Sequence, residues 1–187
     1  MNLMDALYTR RSVRAYSDRP VPSETLDALI QAAVQAPTGM NLQPWAFGII
    51  QGVDRLRAYS DRTKAYLLEH LDLLPGMEQY RDNFANPEAN LFYGAPALIC
   101  IFAKPGGITP DFDCAMAAQN LMLAALDQGL GTCWIGFFAF LLNQPEVKRE
   151  LGVPEDYRAL APIILGYPLQ TPQPLEKDEP EVIFRLE

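Results

Sequence analysis

Ala36-Pro37-Thr38-Gly39-Met40-Asn41-Leu42-Gln43-Pro44-Trp45 sets small, amide-bearing and aromatic residues between two segments of opposite periodicity. Upstream, Leu26, Leu29, Ile30, Ala33 and Val34 recur at the spacing of one buried helical face, with Ser23 as a plausible N-cap and Pro37 as the stop. Downstream, Trp45 to Gln51 is apolar and favours strand. The stretch therefore reads as a helix-to-strand turn. Its amides can cap that turn or face a planar polar ligand.

Outward from it, Leu3, Ala6 and Leu7 predict a short first helix, broken by Ser17-Asp18-Arg19-Pro20-Val21-Pro22. Asp54 to His70 has helical composition, and Pro75 to Gly94, rich in Pro, Gly, Asn and charge, reads as an excursion with one helical turn. Loops of that length often cover sites. Pro96 to Ala103 is a continuous apolar run, expected to be a central strand covered on both faces and ended by Lys104-Pro105-Gly106-Gly107. Asp111 or Asp113 can cap a long helix to about Gln128, where Gly129 stops it. Thr132 to Ile135 then reads as a short strand, Pro145 to Leu151 as a short helix ended at Gly152, and Ala159 to Leu165 as the last strand. The pattern is mixed α+β.

The 187 residues are 49% hydrophobic, without an internal repeat, which suits one core rather than two. Apolar runs fall short of the roughly 18 residues of a membrane span, and Met1-Asn2-Leu3-Met4-Asp5 lacks a basic-then-apolar signal, so a cytoplasmic location is expected. A formal charge of -8 argues against a nucleic-acid partner. Cys100, Cys114 and Cys133 show neither a disulfide framework nor metal-like spacing, and no glycine-rich dinucleotide turn follows a predicted strand. His70, beside Glu69 and Asp72, reads as a surface residue.

Against the acidic background, Arg10-Arg11-Ser12-Val13-Arg14 gathers three guanidiniums and a hydroxyl. Guanidinium presents a flat fork of donors that matches phosphate oxygens two at a time, so the segment suits phosphate better than a merely solvated turn. Cys133-Trp134-Ile135-Gly136, taken by itself, suits core. Beyond Pro168 the chain becomes polar and proline-rich, with Pro172, Pro174 and Pro180, and then closes with Val182-Ile183-Phe184. Disordered tails seldom end in apolar β-formers, so this segment reads as an arm that docks elsewhere rather than a frayed end.

Four motifs in order, Arg10-Arg11-Ser12-Val13-Arg14-Ala15-Tyr16, Asn41-Leu42-Gln43-Pro44-Trp45, Gly129-Leu130-Gly131-Thr132-Cys133-Trp134-Ile135-Gly136 and Leu165-Gly166-Tyr167-Pro168, resemble those of the flavin-dependent nitroreductase family. The resemblance implies an α+β, nitroreductase-like fold whose central sheet is mixed and mainly antiparallel and is flanked by helices. It also implies a single FMN-binding domain over residues 1–170 and an extension, 171–187, that docks on the second subunit of a homodimer. FMN is the implied cofactor, NADH or NADPH the donor, and a small nitroaromatic or quinone-like molecule the acceptor, in ping-pong redox chemistry. Such chemistry needs no catalytic side chain and no metal. By resemblance Arg10, Ser12 and Arg14 hold the phosphate and ribityl end, with Arg11 contributing near the ring. Pro37, Thr38, Gly39, Asn41 and Gln43 approach the same flavin from the other subunit, while Trp134, Ile135 and Gly136 pass along the ring. Flavin cleavage or reductive dehalogenation on the same fold, which would need a lid from residues 54–94, and a non-catalytic FMN-binding redox sensor are the alternatives. One departure stands out: where many members carry basic residues after the last motif, Lys177 sits among Glu176, Asp178 and Glu179 and is a doubtful phosphate ligand.

Overall fold

The computed structural model describes residues 2–170, 172–173 and 175–186. At its centre is β2 (Ala97–Ala103), buried at every position as its unbroken apolar run demands. It pairs antiparallel with β1 (Trp45–Gln51) on one side and β4 (Arg158–Gly166) on the other; β3 (Gly131–Trp134) adds to β4, so the order is β1-β2-β4-β3. Trp45 stands opposite Ala103, Ala97 opposite Leu165, and Gly131 opposite Gly166. The mainly antiparallel sheet is borne out. Its parallel element is confined, among the described residues, to a bridge between Ser12 and Thr132.

Alternation along β2 feeds two cores. Ala97, Ile99, Ile101 and Ala103 face α2 (Ser23–Ala33) and α5 (Pro110–Asp127), which contribute Leu26, Leu29, Ala117, Ala118 and Leu121. Leu98, Cys100 and Phe102 face α3 (Val53–Glu69), α6 (Gly136–Leu142) and α7 (Pro145–Leu151) through Leu56, Leu67, Phe138 and Val147. Each fully buried Leu, Ile or Phe here contributes about 1.5–3 kcal/mol. The alanines of α5 let that helix lie close to the sheet.

Several ends differ from expectation. Ser23 is the first residue of α2 rather than its cap; Pro22 holds the cap position without a side-chain bond. Neither Asp111 nor Asp113 caps α5, because Pro110, whose fixed φ suits a first helical position, starts the helix after Thr109. Helix α6 had no signal in the sequence: Gly136-Phe137-Phe138-Ala139-Phe140-Leu141-Leu142 is apolar nearly all round, so it has no helical stripe. The excursion holds more helix than expected, with a 3-10 turn at Glu78–Tyr80 and a short α4 (Arg81–Ala85), and a further 3-10 turn at Leu71–Leu73 precedes it. It is tied to α3 by the buried Lys64, whose Nζ donates to Asn86 O (2.9 Å) and Ala89 O (2.6 Å) and pairs with Asp61 at 3.1 Å. Ser60 Oγ adds a bond from Leu91 N at 2.8 Å. The three cysteines are free, as expected, and all are buried.

Candidate active site

After α1 (Leu3–Thr9), capped by Asn2 Oδ1 accepting from Asp5 N, the chain turns extended at Arg10 (φ -57°, ψ 130°) and runs beside β3. Val13 N donates to Thr132 O at 2.9 Å, and Ser12 bridges Thr132. This approach needs Gly131: a Cβ there would stand 2.5 Å from Val13 Cγ2. A second anchor follows, with Tyr16 bridging Pro168, Ser17 N donating to Tyr167 O (2.9 Å) and the buried Tyr16 hydroxyl donating to Val13 O (2.7 Å). Burial pushes the Tyr16 phenol far up, so it stays protonated. Because an extended strand alternates its faces, burying Val13 turns Ser12 and Arg14 outward together.

Among the described residues no acidic side chain pairs with Arg10, Arg11 or Arg14. Arg11 Nη1 donates to Tyr8 O (2.9 Å) and Arg10 O (2.7 Å), while its buried Nε has no hydrogen-bond partner among the described residues. The Arg14 guanidinium lies 6.0 Å from the centre of the Tyr93 ring. Arg10, Arg11, Ser12, Arg14 and Lys177 share the wall of one cavity of about 420 Å³. An adjoining apolar cleft of about 530 Å³, walled by Met122, Leu126, Leu130 and Pro168, also includes Arg10 and Arg11. Unanswered cations next to an apolar cleft suit a ligand with an anionic end and an apolar body. Cys133 lies against the cluster: burial pushes its thiol up, and Arg14, a hydrogen bond with Ser12 and Arg10 pull it partly back.

Trp134, Ile135 and Gly136 continue this edge. Trp134 pairs with Ile163, Ile135 is buried with its N–H bonded to Pro162 O at 2.8 Å, and exposed Gly136 opens α6. Residues 10–14 and 134–136 are thus brought together along β3.

Pro37, Thr38, Gly39, Asn41 and Gln43 are not part of that grouping within one chain. Their turn precedes Trp45, which lies opposite Ala103 on the far edge strand, whereas Ser12 lies by Thr132 opposite Leu165. The two clusters occupy diagonal corners of the sheet, separated by four inter-strand steps and about six residues along the strands, on the order of 30 Å. The turn itself is tightly built. Met40, Asn41 and Gln43 have φ of 51°, 56° and 49°. Asn41 N donates to Thr38 O (3.2 Å), Leu42 N to Gly39 O (3.1 Å), Gln43 N to Thr38 Oγ1 (3.2 Å) and Gln43 Nε2 to Asn41 Oδ1 (3.2 Å).

Lys177, a doubtful phosphate ligand from sequence because acids flank it, lies on the wall of the arginine cavity, and Tyr93, beside Arg14, was not singled out. The signal for Tyr93 was its place before Gly94: both residues take positive φ, 54° and 74°.

The model of the family described as the Nitroreductase family matches residues 7–167. A Methanothermobacter thermautotrophicus protein, provisionally named NADH dehydrogenase/NAD(P)H nitroreductase, is 29% identical over 188 residues, covering 98% of this chain and 86% of its own length. The crystal structure of a Bacteroides fragilis nitroreductase with bound FMN superposes with a TM-score of 0.82 at 27% identity, covering 100% of this chain and 99% of that one. A nitroreductase of Desulfitobacterium hafniense with bound FMN gives 0.82 at 26% identity and 99% coverage of both. Since the family match takes in the arginine segment, the amide turn and every strand of the sheet, the chain belongs to the nitroreductase family.

Proposed function

We propose that this protein is a homodimeric, FMN-dependent oxidoreductase that takes reducing equivalents from NADH or NADPH and passes them to nitroaromatic or quinone-like acceptors. The observation that carries the reading is the group of three guanidiniums without acidic partners among the described residues, together with Ser12 and Lys177, on one cavity wall. A phosphate monoester bears about -1.5 to -2 charges, which such a group can balance. Arg10, Ser12, Arg14 and Lys177 would hold that phosphate, and the unsatisfied Arg11 Nε offers a further donor. Trp134, Ile135 and Gly136 would lie along the ring at the β3 edge. FMN, when bound, supplies a ring that accepts a hydride from one substrate and yields electrons to the next. The names of similar proteins support both the cofactor and the nicotinamide donor.

The diagonal placement of the 37–43 turn supports the dimer, because only a second chain can bring that turn to the arginine corner. So does exposed apolar surface on the arm, where Leu175, Val182, Ile183, Phe184 and Leu186 are all uncovered, and on α1 at Leu3, Met4 and Leu7. The test starts with the purified protein, which should be yellow and release about one FMN per chain. Anaerobic stopped-flow mixing with NADH or NADPH should bleach the flavin without a second substrate, and a nitroaromatic or quinone should restore it. Neither nicotinamide reducing bound FMN would overturn the reductase reading in favour of a flavin-binding sensor.

A further inference from the structure

We infer that Asp113 is a positioning residue for the Thr38–Gln43 turn, and that through Gly39 it sets how this turn meets FMN; the inference rests on the function proposed above. The internal hydrogen bonds of the turn are joined by a contact from outside it. Three of its residues lie in the left-handed region that side chains disfavour, a conformation that persists only where the surroundings impose it. The imposed contact comes from the first turn of α5. Asp113 is 2% exposed, and among the described residues it has no cationic partner. Its Oδ1 accepts from Gly39 N at 3.2 Å and its Oδ2 from Thr109 Oγ1 at 3.1 Å.

Such a carboxylate is costly to bury, and capping does not explain it. Thr109 occupies the cap position of α5, and Asp113 N is already bonded to Thr109 O within the helix at 2.9 Å. Oδ1 instead fixes the helix start to Gly39, 74 positions away in the chain, while Oδ2 takes the Thr109 hydroxyl four residues back. The fit is close on the other side as well, since a Cβ on Gly39 would collide with Thr109 Oγ1. Gly39 sits between Thr38, which accepts bonds from Asn41 and Gln43, and Met40, the first strained residue. Anchoring Gly39 therefore sets the position of both amide side chains, Asn41 and Gln43, relative to the rigid α5.

The test is titration of apo-protein with FMN, followed by flavin fluorescence, with Tm read on the same samples. D113A leaves the Gly39 N–H without its acceptor and should weaken FMN binding about tenfold. D113N keeps an oxygen for Gly39 and an amide for Thr109, and should recover affinity to within about threefold of wild type. T63A, which removes a buried hydroxyl from α3 outside the site, should lower Tm while leaving FMN affinity unchanged. Should D113A fail to fold, G39A probes the same contact from the turn side and should also weaken FMN binding. The inference is overturned if D113A or G39A binds FMN as wild type does, or if T63A loses as much affinity as D113A. A wild-type chain that takes up no FMN overturns the flavin reading and this inference with it.

Discussion

At the scale of single residues, Arg14 differs from the arginines that are paired with acids, Arg57, Arg62, Arg81 and Arg158. Arg62 forks onto both oxygens of Glu150 at 2.9 and 2.8 Å, and Arg57 pairs with Asp61 at 3.2 Å, whereas Arg14 has no acidic partner among the described residues and lies over the Tyr93 ring. Arg14 contributes little to the fold in that setting and is free to contribute to a ligand. R14A should therefore leave Tm nearly unchanged while weakening FMN by about 1.5–3 kcal/mol, tenfold to a hundredfold in Kd. Equilibrium titration of apo-protein measures it, and wild-type affinity would remove Arg14 from the site.

At the scale of elements, the arginine segment is presented by its seat on β3, and Gly131 makes the seat possible. A methyl group there meets Val13 in a packed region, where overpacking costs about 1–3 kcal/mol. G131A should lower Tm and also shed FMN, in contrast to R14A; scanning calorimetry with flavin quantitation on both variants distinguishes seat from ligand. Elsewhere, α3 and α7 are joined by Glu150, which accepts from Arg62 and from Tyr59 Oη at 2.8 Å. The Arg62 bond and then the Tyr59 bond hold the Glu150 carboxyl below its ordinary value, about 4.3 in an unfolded chain. The resulting stability is present above that value and is lost as pH falls through the lower, folded one. Both partners are half-exposed, so the effect is small. Tm measured against pH should show wild type above E150Q near pH 6, with the gap closing below about pH 4. A gap that persists in acid would contradict this.

For the whole molecule, the segment after Pro168 links assembly to the site. Pro172, Gln173 and Lys177 belong to the cavity walls, while Val182, Ile183, Phe184 and Leu186 stand exposed on a segment without regular structure. Each such side chain contributes about 1.5–3 kcal/mol when fully buried, so covering them on a second chain would stabilise a dimer substantially. Deleting the chain from Pro172 onward should shift the protein toward monomer in sedimentation velocity and release FMN in proportion. A truncated protein that stays dimeric and yellow would show that the arm serves neither purpose.

What lies close along the chain was legible in the sequence. Strand β1 ends where its residues indicated, α3 and α7 fall within a residue of their composition, and Gly129 and Gly152 stop their helices with φ of 72° and 69°. These features follow from propensity and steric rules that act over a few residues. The arginine segment was equally visible, because three guanidiniums in five residues need no tertiary contact to be recognised. Tertiary structure alone decided the rest. Helix α6 forms from residues with no amphipathic stripe because the sheet and α3 give it apolar surface on which to pack. Lys64 is buried because carbonyls of a distant loop converge on it, and Asp113 abandons capping for Gly39. The separation of the arginine corner from the amide turn is set by strand order and register. Those arise from pairings between residues tens of positions apart, which no local preference encodes.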